Sequence, residues 1–185
     1  MSSLLITGGA GFIGSHVCHA LIQNGYDLYI IDNLKSSTSK SINILENLDK
    51  NKNRKIIKFF EGDIKNDSSL REIFNIAKNN NSPIESVLHL ASLKQIKESL
   101  IKPIMYWDNN LTGTISLLKI MQEFDCKQIV FSSSATVYSS KCLSPIDEDT
   151  EISPVNTYGH TKASIEKLLQ NLTSNKSGWK IVNLR

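Results

Sequence analysis

The sequence predicts an α/β fold in which a doubly wound parallel sheet carries helices on both faces. Short apolar runs at residues 4–7, 28–31, 87–90 and 129–132 alternate with longer segments of helical period. A glycine-rich turn follows the first run and directly precedes the first helical segment. Because crossovers between parallel strands are right-handed, these units predict a Rossmann-type sheet with strand order 3-2-1-4-5-6.

The remaining elements follow from the same pattern. In the first helix, Ile13, Val17 and Leu21 share one face and Gly25 ends the segment, while Pro103 suits the first turn of a long helix. Further strands are predicted at 56–61 and 179–184, and helices at 12–24, 38–48, 68–78, 103–124 and 157–172. Residues 138–156 contain two prolines and four acidic residues, which predicts a loop over the site.

Length and composition indicate one folded domain over residues 1–185, since 40% of the residues are hydrophobic and 21% charged. The densest basic stretch, residues 50–58, has little aromatic interleaving and predicts a solvated surface rather than nucleic-acid binding. No apolar run approaches the roughly 18 residues of a membrane span, and the first residues do not resemble a signal peptide.

Cysteine and histidine give no metal or disulfide pattern. The three cysteines are odd in number and match neither a zinc site nor a disulfide framework, which suits a reducing cytoplasm. Cys18 falls among helix residues and is predicted to be core. None of the four histidines has metal-ligand spacing; His89 is predicted as a satisfied core residue and His160 as facing away from Tyr158.

The turn at residues 7–14 reads Thr-Gly-Gly-Ala-Gly-Phe-Ile-Gly and has the spacing of a dinucleotide-binding turn. Gly8 and Gly11 keep bulky side chains away from a pyrophosphate, and Gly14 lets the helix pack closely on the sheet. The free N–H groups of the first helical turn, which includes Phe12 and Ile13, then face the anion. The alternative is a glycine-rich turn that binds nothing.

Two acidic positions lie where strands two and three end. Asp32 comes 18 residues after Gly14, where a carboxylate accepts hydrogen bonds from adenosine ribose hydroxyls and repels a 2′-phosphate. This position favours NAD over NADP as the cofactor, although an Asp32-Asn33 pair is also common in plain turns. Asp63 and Ile64 follow the third strand and are predicted to meet the adenine; a helix cap at Asp63 is the alternative.

Tyr158 and Lys162 lie four residues apart and therefore share one face of the last helix. A nearby ammonium favours the phenolate, so the spacing predicts that Lys162 lowers the pKa of Tyr158 and lets it act as a base. Ser132, Ser133 and Ser134 end the fifth strand, at the sheet edge where ligands bind. The alternatives are an ordinary surface pair and a serine-rich strand end.

Several of these segments resemble the motifs of the extended short-chain dehydrogenase/reductase family, of the NAD-dependent epimerase/dehydratase kind. They are the turn at 7–14, the Ser-Ser-Ser-Ala-Thr-Val-Tyr run at 132–138 and the Tyr-Gly-His-Thr-Lys run at 158–162. The run at 132–138 and the stretches at 89–94 and 106–110 most narrowly resemble UDP-glucose 4-epimerases. Sugar dehydratases of the superfamily usually have an acidic pair where this chain has Ser134-Ala135.

The resemblance implies roles for individual residues. Tyr158 would remove the proton of the sugar 4-hydroxyl while hydride passes to NAD, Ser134 would hydrogen-bond that oxygen, and Lys162 would hold the nicotinamide ribose. Lys94 and Asn109 would lie near the cofactor phosphate and nicotinamide, and Lys94 also near the substrate. Leu90 and Ala91, together with Ser132, would line the nicotinamide pocket.

The resemblance further implies interconversion of UDP-glucose and UDP-galactose, a step of galactose metabolism. Relatives continue past the point where this sequence ends, into a smaller domain that grips the nucleotide-sugar, so we expect weak or absent turnover by residues 1–185 alone. The alternatives are an NAD-binding module without turnover and an epimerase for another nucleotide sugar. The family also pairs through two helices, here 109–124 and 157–172, which implies a homodimer.

Overall fold

Six parallel strands form one sheet in the order β3-β2-β1-β4-β5-β6, which confirms the predicted topology. The structure is a computed structural model that describes residues 3–50, 57–142, 144–173 and 177–185, without the side chains of 48–50. The strands are β1 (Ser3–Thr7), β2 (Asp27–Asp32), β3 (Ile57–Glu61), β4 (Ile84–His89), β5 (Gln128–Ser132) and β6 (Lys180–Leu184). The helices are α1 (Phe12–Gln23), α2 (Lys40–Lys50), α3 (Asp67–Asn79), α4 (Ile96–Ile101), α5 (Pro103–Tyr106), α6 (Gly113–Glu123) and α7 (Thr157–Thr173).

Apolar side chains fill both sides of the sheet, because alternate residues of each strand point to opposite faces. On one face Leu4 and Ile6 pack with Cys18 of α1 and Ile42 of α2. On the other face the core is built from β-strand residues and from α3, α6 and α7; its members include Leu5, Tyr29, Leu70, Leu117 and Ile165. The sheet is therefore covered on both faces, as predicted, and its carboxyl edge is left for binding.

Several details differ from the sequence predictions. β4 begins at Ile84 rather than at residue 87, because Ile84 pairs with Ser3 and Ser86 pairs with Leu4 across a shift in register at Glu85. It ends at His89, so Leu90 belongs to the following turn. α4 was not predicted; it is one short helix whose only buried side chain is Ser99, so it lacks an apolar stripe.

The long helix predicted at 103–124 runs continuously but contains a π-helical segment, Trp107–Thr112, between α5 and α6. A π segment adds a residue to one turn and often marks a functional site. Here it carries Asn109, which lines the crevice described below, and the buried Asn110. Residue 56, the predicted start of β3, and most of the basic stretch at 50–58 lie outside the described residues.

The segment at 138–156 is irregular, as predicted, but the prediction that it covers the site was wrong for its described residues. Tyr138 and Ile152 form an isolated antiparallel bridge, and the Ser153 amide donates to the Val137 carbonyl (2.9 Å). The Arg185 guanidinium also donates to the Glu148 carbonyl (2.9 Å). These contacts hold the segment beside the end of β6, where it lines a separate cavity.

Candidate NAD and substrate site

A crevice of about 310 Å³ opens at the carboxyl edge of the sheet, where β1, β2, β4 and β5 end. Every predicted site residue except Asp63 lines it. They are Gly8, Gly11, Phe12, Ile13, Gly14, Asp32, Asn33, Ile64, Leu90, Ala91, Lys94, Asn109, Ser132, Ser134, Tyr158 and Lys162. Residues from positions 8 to 162 thus meet at one edge, which is where open parallel sheets bind their ligands.

The glycine turn leaves no room for side chains. Gly8 has φ +72°, a conformation that favours glycine, and its amide donates to the Ile31 carbonyl (2.8 Å). A Cβ on Gly14 would lie 2.3 Å from the Gly8 oxygen. Gly11 caps α1 without any side-chain hydrogen bond, whereas Asn66 caps α3 through its side chain. The first turn of α1 therefore presents backbone N–H groups to the crevice.

Asp32 joins the glycine turn to β2. One carboxylate oxygen accepts from the Ala10 amide (3.1 Å), and the other accepts from the Leu34 amide (2.9 Å) and the Ser37 hydroxyl (2.9 Å). These bonds fix the Asp32 carboxylate at the rim of the crevice. The carboxylate can therefore hold the turn together and also accept hydrogen bonds from ribose hydroxyls. Lys35 and Ser36 also line the crevice, although the sequence reasoning had not singled them out. Their position directly after Asp32-Asn33 was the available signal.

Asp63 lies behind the rim rather than in the crevice. Burial opposes its ionisation, but hydrogen bonds from the Lys65 amide (3.0 Å) and the Asn33 side chain (3.3 Å), together with the charges of Lys35 and Lys65, outweigh burial and lower its pKa. The cap of α3 is Asn66, so the alternative of a helix cap at Asp63 was wrong. Asp63 instead orients Asn33, which does line the crevice.

Tyr158 and Ser134 both line the crevice. Burial raises the pKa of Tyr158, and a hydrogen bond with the Ser134 hydroxyl lowers it in part. The Tyr158 amide, in the first turn of α7, donates to the buried Ser99 hydroxyl (3.2 Å). Ser99 belongs to the unpredicted α4, so no pattern in the sequence pointed to this contact.

Lys162 is buried beneath the tyrosine. Its ammonium donates to the Ser132 carbonyl (2.8 Å) and lies 4.7 Å from the centre of the Phe131 ring and 5.8 Å from that of Tyr158. Burial lowers the pKa of Lys162 to about 7, although Glu166 opposes this. The expectation that Lys162 lowers the pKa of Tyr158 was wrong, because burial raises this pKa and the group that partly lowers it is Ser134.

Glu166 extends the same helical stripe by one more turn, since it follows Lys162 by four residues. It is buried, accepts from the Ser133 hydroxyl, and accepts from the Arg185 guanidinium at distances of 2.8–3.2 Å. The sequence reasoning missed this residue, although its spacing from Tyr158 and Lys162 was a usable signal. Its negative charge partly offsets the cost of burying the lysine.

Replacing Lys162 with methionine is expected to stabilise the chain at pH 7 by a few kcal/mol and to weaken NAD binding. The unfolded lysine keeps its proton up to about pH 10.5, whereas the folded one releases it near 7, so the unfolded state binds more protons between those values. The loss of folding free energy caused by burying the charged Lys162 is therefore greatest below pH 7 and disappears towards pH 10.5. Urea unfolding at pH 6.5 and 9 should therefore show a stability gain that shrinks as pH rises; an equal gain at both would contradict the lowered pKa.

In the described parts of the chain, no three His, Cys, Asp or Glu side chains lie together as a metal site. Nor do those parts contain a helix long and apolar enough to cross a membrane. The three cysteines are free, and Cys18 and His89 are buried in the core as predicted. His160 is exposed, consistent with its predicted orientation.

The chain is similar to UDP-glucose 4-epimerases in sequence and in structure. UDP-glucose 4-epimerase 2 of Arabidopsis thaliana is 40% identical over 184 residues, which cover 99% of this chain and 51% of that protein. The UDP-glucose 4-epimerase of Bacillus subtilis is 39% identical over 183 residues, 99% of this chain and 51% of that protein. The crystal structure of the Bifidobacterium longum UDP-glucose 4-epimerase in complex with NAD+ and UDP superposes with a TM-score of 0.89 at 36% identity, covering 100% of this chain and 52% of that one.

This chain therefore spans about half the length of the curated relatives it matches. Residues 5–185 match the family model described as GDP-mannose 4,6 dehydratase. With that match over nearly the whole sequence, and with the epimerases above as relatives, the chain belongs to this NAD-dependent epimerase/dehydratase family and corresponds to the N-terminal part of its UDP-glucose 4-epimerase-like members.

Proposed function

We propose that residues 1–185 bind NAD and form the cofactor half of an epimerase that interconverts UDP-glucose and UDP-galactose. The observation that carries the proposal is the meeting, in one crevice, of the glycine turn, Asp32 and the Tyr158–Ser134–Lys162 group. The first two suit the pyrophosphate and adenosine ribose of a dinucleotide. The third suits proton transfer at a sugar hydroxyl.

The residues present fit NAD on physical grounds. The close approach of Gly14 to the Gly8 oxygen and the unfilled first turn of α1 leave space and donors for a pyrophosphate. Leu90 and Ala91 supply apolar surface and Asn109 a polar side chain for the nicotinamide end, and Lys94 is exposed at the rim for phosphate or substrate. When bound, NAD would accept a hydride from C4 of the sugar and return it.

The chain's own residues would move the proton. Tyr158 would accept it from the sugar 4-hydroxyl, and Ser134, which lines the same crevice, would hydrogen-bond that oxygen. An ammonium has three donors, and Lys162 uses one on the Ser132 carbonyl, which leaves others for ribose hydroxyls.

Incubating the purified 185-residue chain with NAD and with UDP-galactose tests the proposal. We expect NAD to bind, by calorimetry or by nucleotide released on denaturation, and we expect little or no UDP-glucose to form, because the chain spans half the length of its relatives. A protein of epimerase length that contains this chain should turn over. Binding without turnover in that longer protein would favour the alternative of an NAD-binding module, and turnover only of other nucleotide sugars would favour an epimerase of different specificity.

Replacing Asp32 with asparagine is expected to shift the preference from NAD towards NADP by about tenfold. The amide keeps an oxygen for the Leu34 and Ser37 hydrogen bonds and removes the charge that repels a 2′-phosphate, while its NH2 group can no longer accept from the Ala10 amide. The ratio of the two dissociation constants is the measurement. Glu72→Gln, which removes an exposed charge on α3, is the control and should leave the ratio unchanged. An unchanged ratio in Asp32→Asn would remove the ribose assignment.

We also propose that two copies pair. Leu100, Ile101 and Ile104 of α4 and α5 expose 60%, 78% and 82% of their surface, and α4 packs against α7, one of the two predicted pairing helices. An apolar surface of this kind is a common interface. Sedimentation velocity should give a dimer, and Ile101→Glu with Ile104→Glu should give a monomer; a wild-type chain that is monomeric at micromolar concentration contradicts the pairing.

A further inference from the structure

A buried network of hydrogen bonds links β1, β4 and α6 directly behind the crevice. His89 Nδ1 lies 2.7 Å from the Thr7 hydroxyl, and His89 Nε2 lies 2.8 Å from the Thr114 hydroxyl. All three side chains are buried, with 0–1% of their surface exposed. None of them lines the crevice, and none has a part in the proton transfer proposed above.

The positions of the protons in this hydrogen-bond network follow from counting donors and acceptors. The Thr114 hydroxyl has one proton and donates it to the Asn110 carbonyl (2.6 Å), so it must accept from His89 Nε2. A neutral ring with its proton on Nε2 accepts at Nδ1, so the Thr7 hydroxyl donates there. The two lone pairs of the Thr7 hydroxyl oxygen then accept from the Leu90 and Ala91 amides, both at 3.2 Å. The Leu90 amide also donates to the Thr7 carbonyl (3.1 Å), so the Ala91 amide is the one that depends on the hydroxyl.

These two amides belong to the part of the crevice wall that lies beside Gly8 of the glycine turn. A Cβ on Gly8 would lie 2.7 Å from the Ala91 nitrogen, so the two backbones are in direct contact. We propose that His89 is a positioning residue: Thr114 holds its ring in the Nε2–H form, and the ring, through Thr7, fixes the Leu90–Ala91 backbone against Gly8 and so sets the width of the crevice. The consequence for NAD affinity rests on the function proposed above.

The surroundings keep the ring in this form. Thr7, Thr114 and the Phe131 ring, whose centre is 5.6 Å from that of His89, carry no charge, and the charged group that acts on the ring is Lys162 of α7. Burial, with a smaller effect of Lys162, lowers the pKa of His89 to about 3. A protonated ring would have to donate from Nδ1 to the Thr7 oxygen, whose lone pairs already accept from the Leu90 and Ala91 amides. Protonation of His89 would therefore break one of the hydrogen bonds that hold this segment of the crevice wall.

Thr7→Val and Thr7→Ser form a matched pair, because valine keeps the shape of threonine without the hydroxyl and serine keeps the hydroxyl. In the ligand-free 185-residue chain, ¹⁵N NMR should find the Nε2–H tautomer at His89 in wild type and in Thr7→Ser. Exchange of the Ala91 amide should be about tenfold faster in Thr7→Val, the loss expected for one hydrogen bond, and about as slow as wild type in Thr7→Ser. NAD should bind about tenfold more weakly to Thr7→Val alone.

A second variant covers the case in which Thr7→Val does not fold. Thr114→Val removes the acceptor at His89 Nε2, together with the hydroxyl's bond to the Asn110 carbonyl, and leaves Thr7 intact. The proposal requires that the His89 tautomer then become mixed. A proton found on Nδ1 in wild type, or equal Ala91 exchange in the two Thr7 variants, would overturn the proposal. Failure of the wild-type chain to bind NAD would instead reject the proposed function, since tautomer and exchange are both measured without ligand.

Discussion

Replacing Gly14 with alanine is expected to abolish NAD binding, raising the dissociation constant by at least about 100-fold, or about 2.7 kcal/mol. The added Cβ would lie 2.3 Å from the Gly8 oxygen and 2.7 Å from the Gly9 Cα. Both are backbone atoms of the turn, so the turn itself must move rather than a flexible side chain. Any such movement displaces the N–H groups that we propose face the pyrophosphate. Titration of the chain with NAD by calorimetry measures the effect.

Gly178→Ala is the matched control, because it separates loss of stability from loss of binding. Gly178 has φ +79°, which strains any other residue by about 1–2 kcal/mol, but its nearest neighbour would be the Lys127 Cδ at 3.6 Å. It lies just before β6, away from the crevice residues. Thermal unfolding should show destabilisation in both variants, and NAD affinity should fall only in Gly14→Ala. Gly14→Ala that binds NAD within about threefold of wild type would show that the turn is not the phosphate site.

The parts of the fold that sequence reasoning predicted depend on local patterns. Strands such as β1 and β2 are buried on both faces and are therefore continuous apolar runs, and the spacing of Gly8, Gly11 and Gly14 has a steric cause within one turn. Once the strand–helix–strand units are assigned, the right-handedness of their crossovers allows few possible orders of strands in the sheet. Tyr158 and Lys162 were predicted because their spacing alone places them on one helix face.

The features that were missed depend on contacts between distant segments. α4 buries only Ser99, and the importance of that serine comes from its hydrogen bond to Tyr158, 59 positions later. The pKa of Tyr158 was predicted in the wrong direction because burial, which spacing does not report, raises it. Asn110 is a similar case: its side chain bonds both to the Leu93 backbone and to Thr161, and so joins the crevice wall to α7.

Tyr158→Phe, made in a protein of epimerase length that contains this chain, is expected to lower kcat for UDP-galactose by about 10²–10⁴-fold, the contribution of a positioned general base. Phenylalanine fills the same buried space but has no oxygen to receive the sugar proton. The glycine turn and Asp32 lie elsewhere in the crevice, so NAD affinity should change by less than about threefold. Kinetics on UDP-galactose and NAD titration give the two numbers.

Two control variants test whether the loss of kcat in Tyr158→Phe is due to the hydroxyl of Tyr158. Tyr26→Phe removes a phenol from a partly exposed site just after α1 and should leave kcat unchanged. Ser134→Ala removes the hydroxyl that orients the same oxygen and should give a smaller loss, because water can replace a donor at a crevice wall more easily than it can replace the base. If Tyr158→Phe kept wild-type kcat, proton transfer would have to pass through another group, and Ser134 would be the side chain placed to take that role. A large loss in both kcat and NAD affinity would mean instead that the phenol of Tyr158 binds the cofactor rather than accepting the proton.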